Sequence, residues 1–310
     1  MTKLGDKIKL ALDESRMLIL GAQVLLGFQY RAVFEHGFDL LPRAAQYAKL
    51  VALTTLLMAI ALIIWPGSYH RIVRKGQDAT DVHDFTTSVM NLALFPFLLA
   101  FGIEVYVISE GLLGFKAALG LGLAIALAAF LLWYGLGFVG RRNHWDKDVS
   151  TKDRRNLRVE KTELFAKVEQ VLVEARMVLP GVQALLGFQF AIMLIEGFEK
   201  LPESSKRIHL ASLVLMALCV ILLMTPAAYH RIVERGEATE HFHRVASLFV
   251  LAAMVPLPLG ICGDFFVVVR KISGSTPAAG LSAVAMLALF YTLWFGVTAY
   301  RRASVERQRG

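Results

Sequence analysis

Four histidines stand in two matched pairs. His70 and His83 are 13 residues apart, and so are His230 and His243 (83 − 70 = 13; 243 − 230 = 13). Neutral imidazole is a common metal ligand, so the pairs raise a metal- or haem-binding reading. Against it, a firm metal site needs three or four ligands at defined spacing, and no cysteine accompanies these. The competing reading is an interfacial belt. Tyr69, His70 and Arg71, with Tyr229, His230 and Arg231, would then contact lipid phosphate, another anionic ligand or neighbouring helix ends. Two acids also stand out, because Glu104 and Asp264 each close a long apolar stretch. Acids inside a membrane mark function by default and need a named partner. Arg31 is the expected partner of Glu104. The matching position for Asp264 holds Ala191, which leaves His209 or a base at the outer surface. Gln23, Gln29, Gln183 and Gln189 place amides in apolar surroundings, where an unpaired amide costs several kcal/mol. They read either as hydrogen bonds between helices or as the lining of a polar site.

These residues recur because the chain is written twice. Arg16-Met17 returns as Arg176-Met177, and Leu25-Leu26-Gly27-Phe28-Gln29 returns as Leu185-Leu186-Gly187-Phe188-Gln189. Tyr69-His70-Arg71-Ile72-Val73 returns as Tyr229-His230-Arg231-Ile232-Val233. Every match has one offset (176 − 16 = 160; 229 − 69 = 160), so the elements that position the residues form a tandem pair.

Apolar residues make up 56% of the chain and mean hydropathy is +0.56. A soluble domain does not hide that much apolar surface. Charge-free stretches cover 51–69, 85–103, 117–140, 177–195, 210–229, 245–263 and 272–300. Each approaches or exceeds the roughly 20 residues that cross a bilayer as a helix. Met17 to Tyr30 is shorter, ending at Arg31, but its copy is full length and it counts as a span too. The prediction is an all-α integral membrane protein with eight transmembrane helices in two parallel four-helix repeats. The stretches do not alternate, which excludes a β-barrel.

Residues 1–142 form the first repeat, 143–163 a charged cytoplasmic linker, and 164–310 the second repeat. Each repeat opens with an amphipathic helix; Leu164, Val168, Val171 and Leu172 follow helical spacing. No secretory signal is read at the N-terminus. Net charge is +8, but the basic clusters flank the spans, so nucleic acid is not the expected partner. Lys3/Lys7/Lys9, Arg71/Arg74/Lys75, Arg141-Arg142 and Arg301-Arg302 fall on one side if there are eight spans, which makes both termini cytoplasmic. An even number of spans gives both repeats the same orientation. Ala118, Gly122 and Ala126, then Gly120, Ala124 and Ala128, are small-residue ladders suited to close helix packing. Pro96 and Pro256, with Pro258, predict kinks used for packing. Cys219 and Cys262 read as buried structural thiols.

The stretch Arg16, Gly21, Gln23, Leu25, Gly27, Phe28, Gln29, with Pro66, His70 and Arg71, resembles an uncharacterised family of bacterial four-helix integral membrane proteins. Arg176, Gly181, Gln183, Leu185, Gly187, Phe188, Gln189, Pro226, His230 and Arg231 carry the same pattern. The resemblance implies four-span units in a bacterial inner membrane and supplies no activity or cofactor. No Ser-His-Asp set, phosphate loop, dinucleotide fingerprint or zinc-protease motif occurs, so an enzyme is not expected. The leading expectation is a non-catalytic membrane module, an accessory subunit or a lipid- or partner-interacting protein. Its partners would be the bilayer, other membrane subunits or itself. The alternatives are a small-ion or proton translocator using Glu104 and Asp264, and a metal- or haem-binding redox protein using the histidines.

Overall fold

The computed structural model describes residues 3–74, 80–135, 164–232 and 240–307, with side chains over most of them. The linker 143–163 and Arg141-Arg142 lie outside the described residues, as do the side chains of Lys3, Lys7 and Lys9. Every regular element among the described residues is helical. The first half contains α1 (Lys3–Ala32), α2 (His36–Asp39), α3 (Arg43–Arg74) and α4 (Thr80–Phe130). The second contains α5 (Leu164–Ile192), α6 (Glu196–Glu199), α7 (Glu203–Ile232), α8 (Glu240–Ala253), α9 (Pro256–Ser273), α10 (Thr276–Tyr291) and α11 (Thr298–Arg307). Short π-helical turns, Leu131–Gly135 and Thr292–Val297, extend α4 and join α10 to α11.

Among the described residues five stretches are long and apolar enough to cross a membrane: Arg43–Val73, Phe85–Phe130, Glu203–Pro226, His241–Ser273 and Thr276–Ser304. Phe85–Phe130 has 46 residues. Straight, it would run about 69 Å, more than twice a bilayer's hydrocarbon core of about 30 Å. It is not straight, because Gly114 breaks the helix with φ 72 and ψ 168. Gly274, at the same repeat position, ends α9 with φ 69. An L side chain at positive φ costs about 1–3 kcal/mol, whether in the left-handed region of Gly274 or the extended region of Gly114, so glycine makes both bends. Val178–Ile192 is apolar but shorter.

The two copies treat proline differently. Pro96 lies inside α4, whereas Pro256 and Pro258 separate α8 from α9. Two prolines within three residues remove two backbone donors, and the helix gives way. Carbonyls near the break find other donors: Cys219 Sγ donates to Ala253 O at 3.4 Å and Tyr291 Oη to Val255 O at 2.8 Å. Both cysteines are free and buried, in line with the structural-thiol expectation.

One apolar core runs through both halves. The first helices meet at its centre, where α1 packs on α5. Gln23 lies against Gly181 and Phe188 against Gly27; a Cβ at either glycine would collide. Tyr30 Oη donates to Ile261 O at 3.0 Å. At one end Lys271 Nζ donates to Val33 O at 2.7 Å and to Asp39 at 2.6 Å. The last helices close over α3: Trp294 donates to Ala61 O at 2.9 Å, and Trp65 to Thr298 Oγ1 at 3.2 Å. The Arg301 guanidinium lies over the rings of Tyr69 and Phe85, 5.7 and 5.0 Å from their centres.

Candidate functional site

Two buried polar triads occupy equivalent positions. In the first half Gln29 comes from α1, Lys49 from α3 and Glu104 from α4. In the second, Gln189 comes from α5, His209 from α7 and Asp264 from α9. The offsets agree (189 − 29 = 160; 209 − 49 = 160; 264 − 104 = 160). Each triad has an amide, a basic group and a carboxylate drawn from three helices; hydrogen bonds join all three in the second, whereas in the first the ion pair joins Lys49 to Glu104 and Gln29 is matched by its repeat position.

The first triad is built on an ion pair between Lys49 Nζ and Glu104 Oε1, with both side chains largely enclosed. Glu104 Oε2 and both amide atoms of Gln29 are buried and have no hydrogen-bond partner among the described residues. The expected pairing of Glu104 with Arg31 is corrected by this geometry. Arg31 pairs instead with Glu35 at 2.9 Å, and both are half exposed. The two residues that separate Arg31 from Gln29 turn its side chain about 200° around α1, away from the triad.

The second triad is more tightly closed. His209 Nδ1 lies 2.8 Å from Asp264 Oδ1, and Gln189 Nε2 donates to Asp264 Oδ2 at 2.6 Å. His209 Nε2 lies 3.1 Å from Gln189 O. Both partners of the ring are acceptors, a carboxylate and a carbonyl. Two protons must therefore lie between ring, carboxyl and carbonyl, as imidazolium–carboxylate or as neutral imidazole with a carboxylic acid. Either way the pair carries no net charge, like Lys49 and Glu104. His209 was one of the two partners expected for Asp264.

Packing matches the side-chain lengths. A Cβ at Gly260 would meet Ser212 O at 3.1 Å, and one at Gly263 would collide with Ser212 Oγ, so α9 lies close on α7. Aspartate and histidine reach across. The first half has Ala100 and Ile103 at those positions, and the longer lysine and glutamate.

The remaining expected residues do not converge on the triads. Gln23 is buried against α5, and its amide atoms have no partner among the described residues. Gln183, its copy, is exposed. Tyr69 is buried against Phe85, with ring centres 4.2 Å apart, and His70 is buried nearby on α3. Arg71 and His243 are half-buried, and His70, Arg71 and His243 each have interaction partners. The side chains of His83, Tyr229, His230 and Arg231 lie outside the described residues. Among the described residues no group of three His, Cys, Asp or Glu could hold a metal ion. Sequence reasoning missed Lys49 as a partner, although its repeat position is that of His209.

The sequence model of a family described as Family of unknown function (DUF6328) matches residues 5–137 and again 160–298. No curated protein and no solved structure matches the chain.

Proposed function

The chain belongs to the DUF6328 family, and we propose that it is a non-catalytic module of a bacterial inner membrane, an accessory subunit that binds lipid and partner proteins. In this reading eight helices cross the bilayer as two parallel four-helix units, with both termini cytoplasmic. Three bent or short elements supply the crossings beyond one per long stretch: Phe85–Phe130 crosses twice around Gly114, and α1 and α5 each cross once. The observation that carries the proposal is the closure of the two buried charge pairs. Lys49 with Glu104 and His209 with Asp264 each neutralise one another inside one repeat, as structural pairs do.

Reconstitution into proteoliposomes tests it. With a pH-sensitive dye inside and an imposed potassium diffusion potential, proton flux should equal that of empty vesicles. Flux well above that level would overturn the reading.

A second reading, proton or small-ion translocation, has one specific observation in its favour. Unpartnered buried polar groups lie at several depths in the first half: Thr86 Oγ1, both amide atoms of Gln23 and Gln29, and Glu104 Oε2. Thr86 and Glu104 are separated along α4 by about 27 Å, close to the thickness of a hydrocarbon core. At Thr86 the second half has Ala246. Flux abolished by Glu104→Gln and spared by Asp264→Asn would establish this reading in place of the first.

A further inference from the structure

The contact between the repeats is one-directional. Gln23, Gly27 and Tyr30 on α1 press against Gly181, Phe188 and Ile261 of the second half. A twofold contact would repeat the same touches with the halves exchanged, and it does not. Gln183, Gly187 and Phe190, the copies of the first set, are exposed, Phe190 at 52% against 3% for Tyr30. Gly21, Phe28 and Phe101, the copies of the second set, are exposed as well, although Phe28 keeps a ring contact with Phe188.

The second and fourth helices follow the same rule. Ala61 is fully buried and its carbonyl accepts from Trp294, while its copy Ile221 is 61% exposed. The helix that would cover Ile221 by repetition follows Gly114. It folds onto its own neighbour, with Gly122 against Gly102 and Tyr134 Oη donating to Asn91 O at 2.8 Å. The first repeat therefore offers a front that is covered and a back that is open. The second offers a back that is used and a front that is open.

We propose that a second copy of this chain docks there, the open front of its second repeat seated on the open back of the first repeat, head to tail. Each open face is a copy of a face already engaged within the chain, so the partner's shape is given by the interface in place. Contacts of this heterologous type close into a ring or extend as a filament, according to the rotation between units. The contact between copies is the weaker one. Phe190 lacks the hydroxyl of Tyr30, and Gly111 replaces Lys271. Association should therefore rise with protein density.

Gly21 and Gly187 provide the test, because an added Cβ at either meets nothing within 4 Å in the single chain. Singly labelled protein is incorporated into bilayers at increasing density, and copies per spot are counted by photobleaching. The wild type should pass from one 34.3 kDa chain to assemblies of two or more. Gly21→Leu and Gly187→Leu should each stay at one copy. A mixture of the two variants in different colours should recover two-colour pairs, since one keeps an intact front and the other an intact back. A wild type that is single at every density overturns the proposal. So does an assembly that survives either substitution, or a mixture that fails to pair.

Discussion

Lys49 and Glu104 surrender hydration worth several kcal/mol per ion and recover it through one close contact and the surrounding field. Removing one partner strands the other. Lys49→Met should destabilise the protein by about 3–5 kcal/mol, read from unfolding in mixed micelles. The double variant Lys49→Met/Glu104→Leu should recover most of that loss, because no charge is left buried. A transplant separates length from charge. Lys49→His with Glu104→Asp places the second triad's pair in the first triad, where Ala100 and Ile103 stand at the repeat positions of Gly260 and Gly263. The shorter pair should fall short of contact, and stability should drop nearly as far as in Lys49→Met. Full stability in the transplant would refute the spacing argument. Asp264 and His209 were legible in the sequence because each interrupts or borders an apolar run. Lys49 was not, since it stands six residues after Arg43 at the mouth of such a run and reads as a flanking charge (49 − 43 = 6). Only the repeat offset distinguishes it.

At the level of helices, the two small-residue ladders on the helix after Gly114 have opposite roles. Gly122 meets Gly102 O and Tyr106, and Ala126 meets Gly102. Gly120 meets nothing within 4 Å. Gly102→Leu should cost about 1–3 kcal/mol by overpacking, measured in the same micelle assay. Gly120→Leu should stay within about 0.5 kcal/mol, as surface changes do. Gly114→Ala isolates the backbone: there is open space for the methyl, yet φ is 72. A loss of about 1–3 kcal/mol is expected from this positive-φ, extended backbone alone, which is essentially confined to glycine. The sequence carried both ladders in full but not which one faces a neighbour, because that depends on how far Gly114 turns the chain. The proline pair at 256 and 258 was legible as a disturbance. Its outcome, a break where Pro96 leaves a continuous helix, needed the second proline to be weighed against the first.

For the molecule as a whole, the core passes through both halves without interruption. Unfolding should therefore appear as one transition rather than two, and Trp294→Phe should shift that single transition. The lost hydrogen bond to Ala61 O contributes about 1 kcal/mol. Two separate transitions would show that the repeats are independent. The tandem design was plain in the sequence, but the direction of its packing was not, since matched segments look interchangeable. The clue lay in the mismatches: Trp65 faces Thr225 across the alignment, and Trp294 faces Tyr134. Those two tryptophans also impose an order in time. Ala61 and its cover are 233 residues apart in the chain. At about 5–20 residues per second, synthesis needs roughly 10–50 s to deliver Trp294 after Ala61. Throughout that interval the first repeat must wait in the bilayer with its front uncovered. A fresh neighbouring chain on the same messenger could reach that front first, so the spacing of ribosomes would influence whether a chain closes on itself or on its sister.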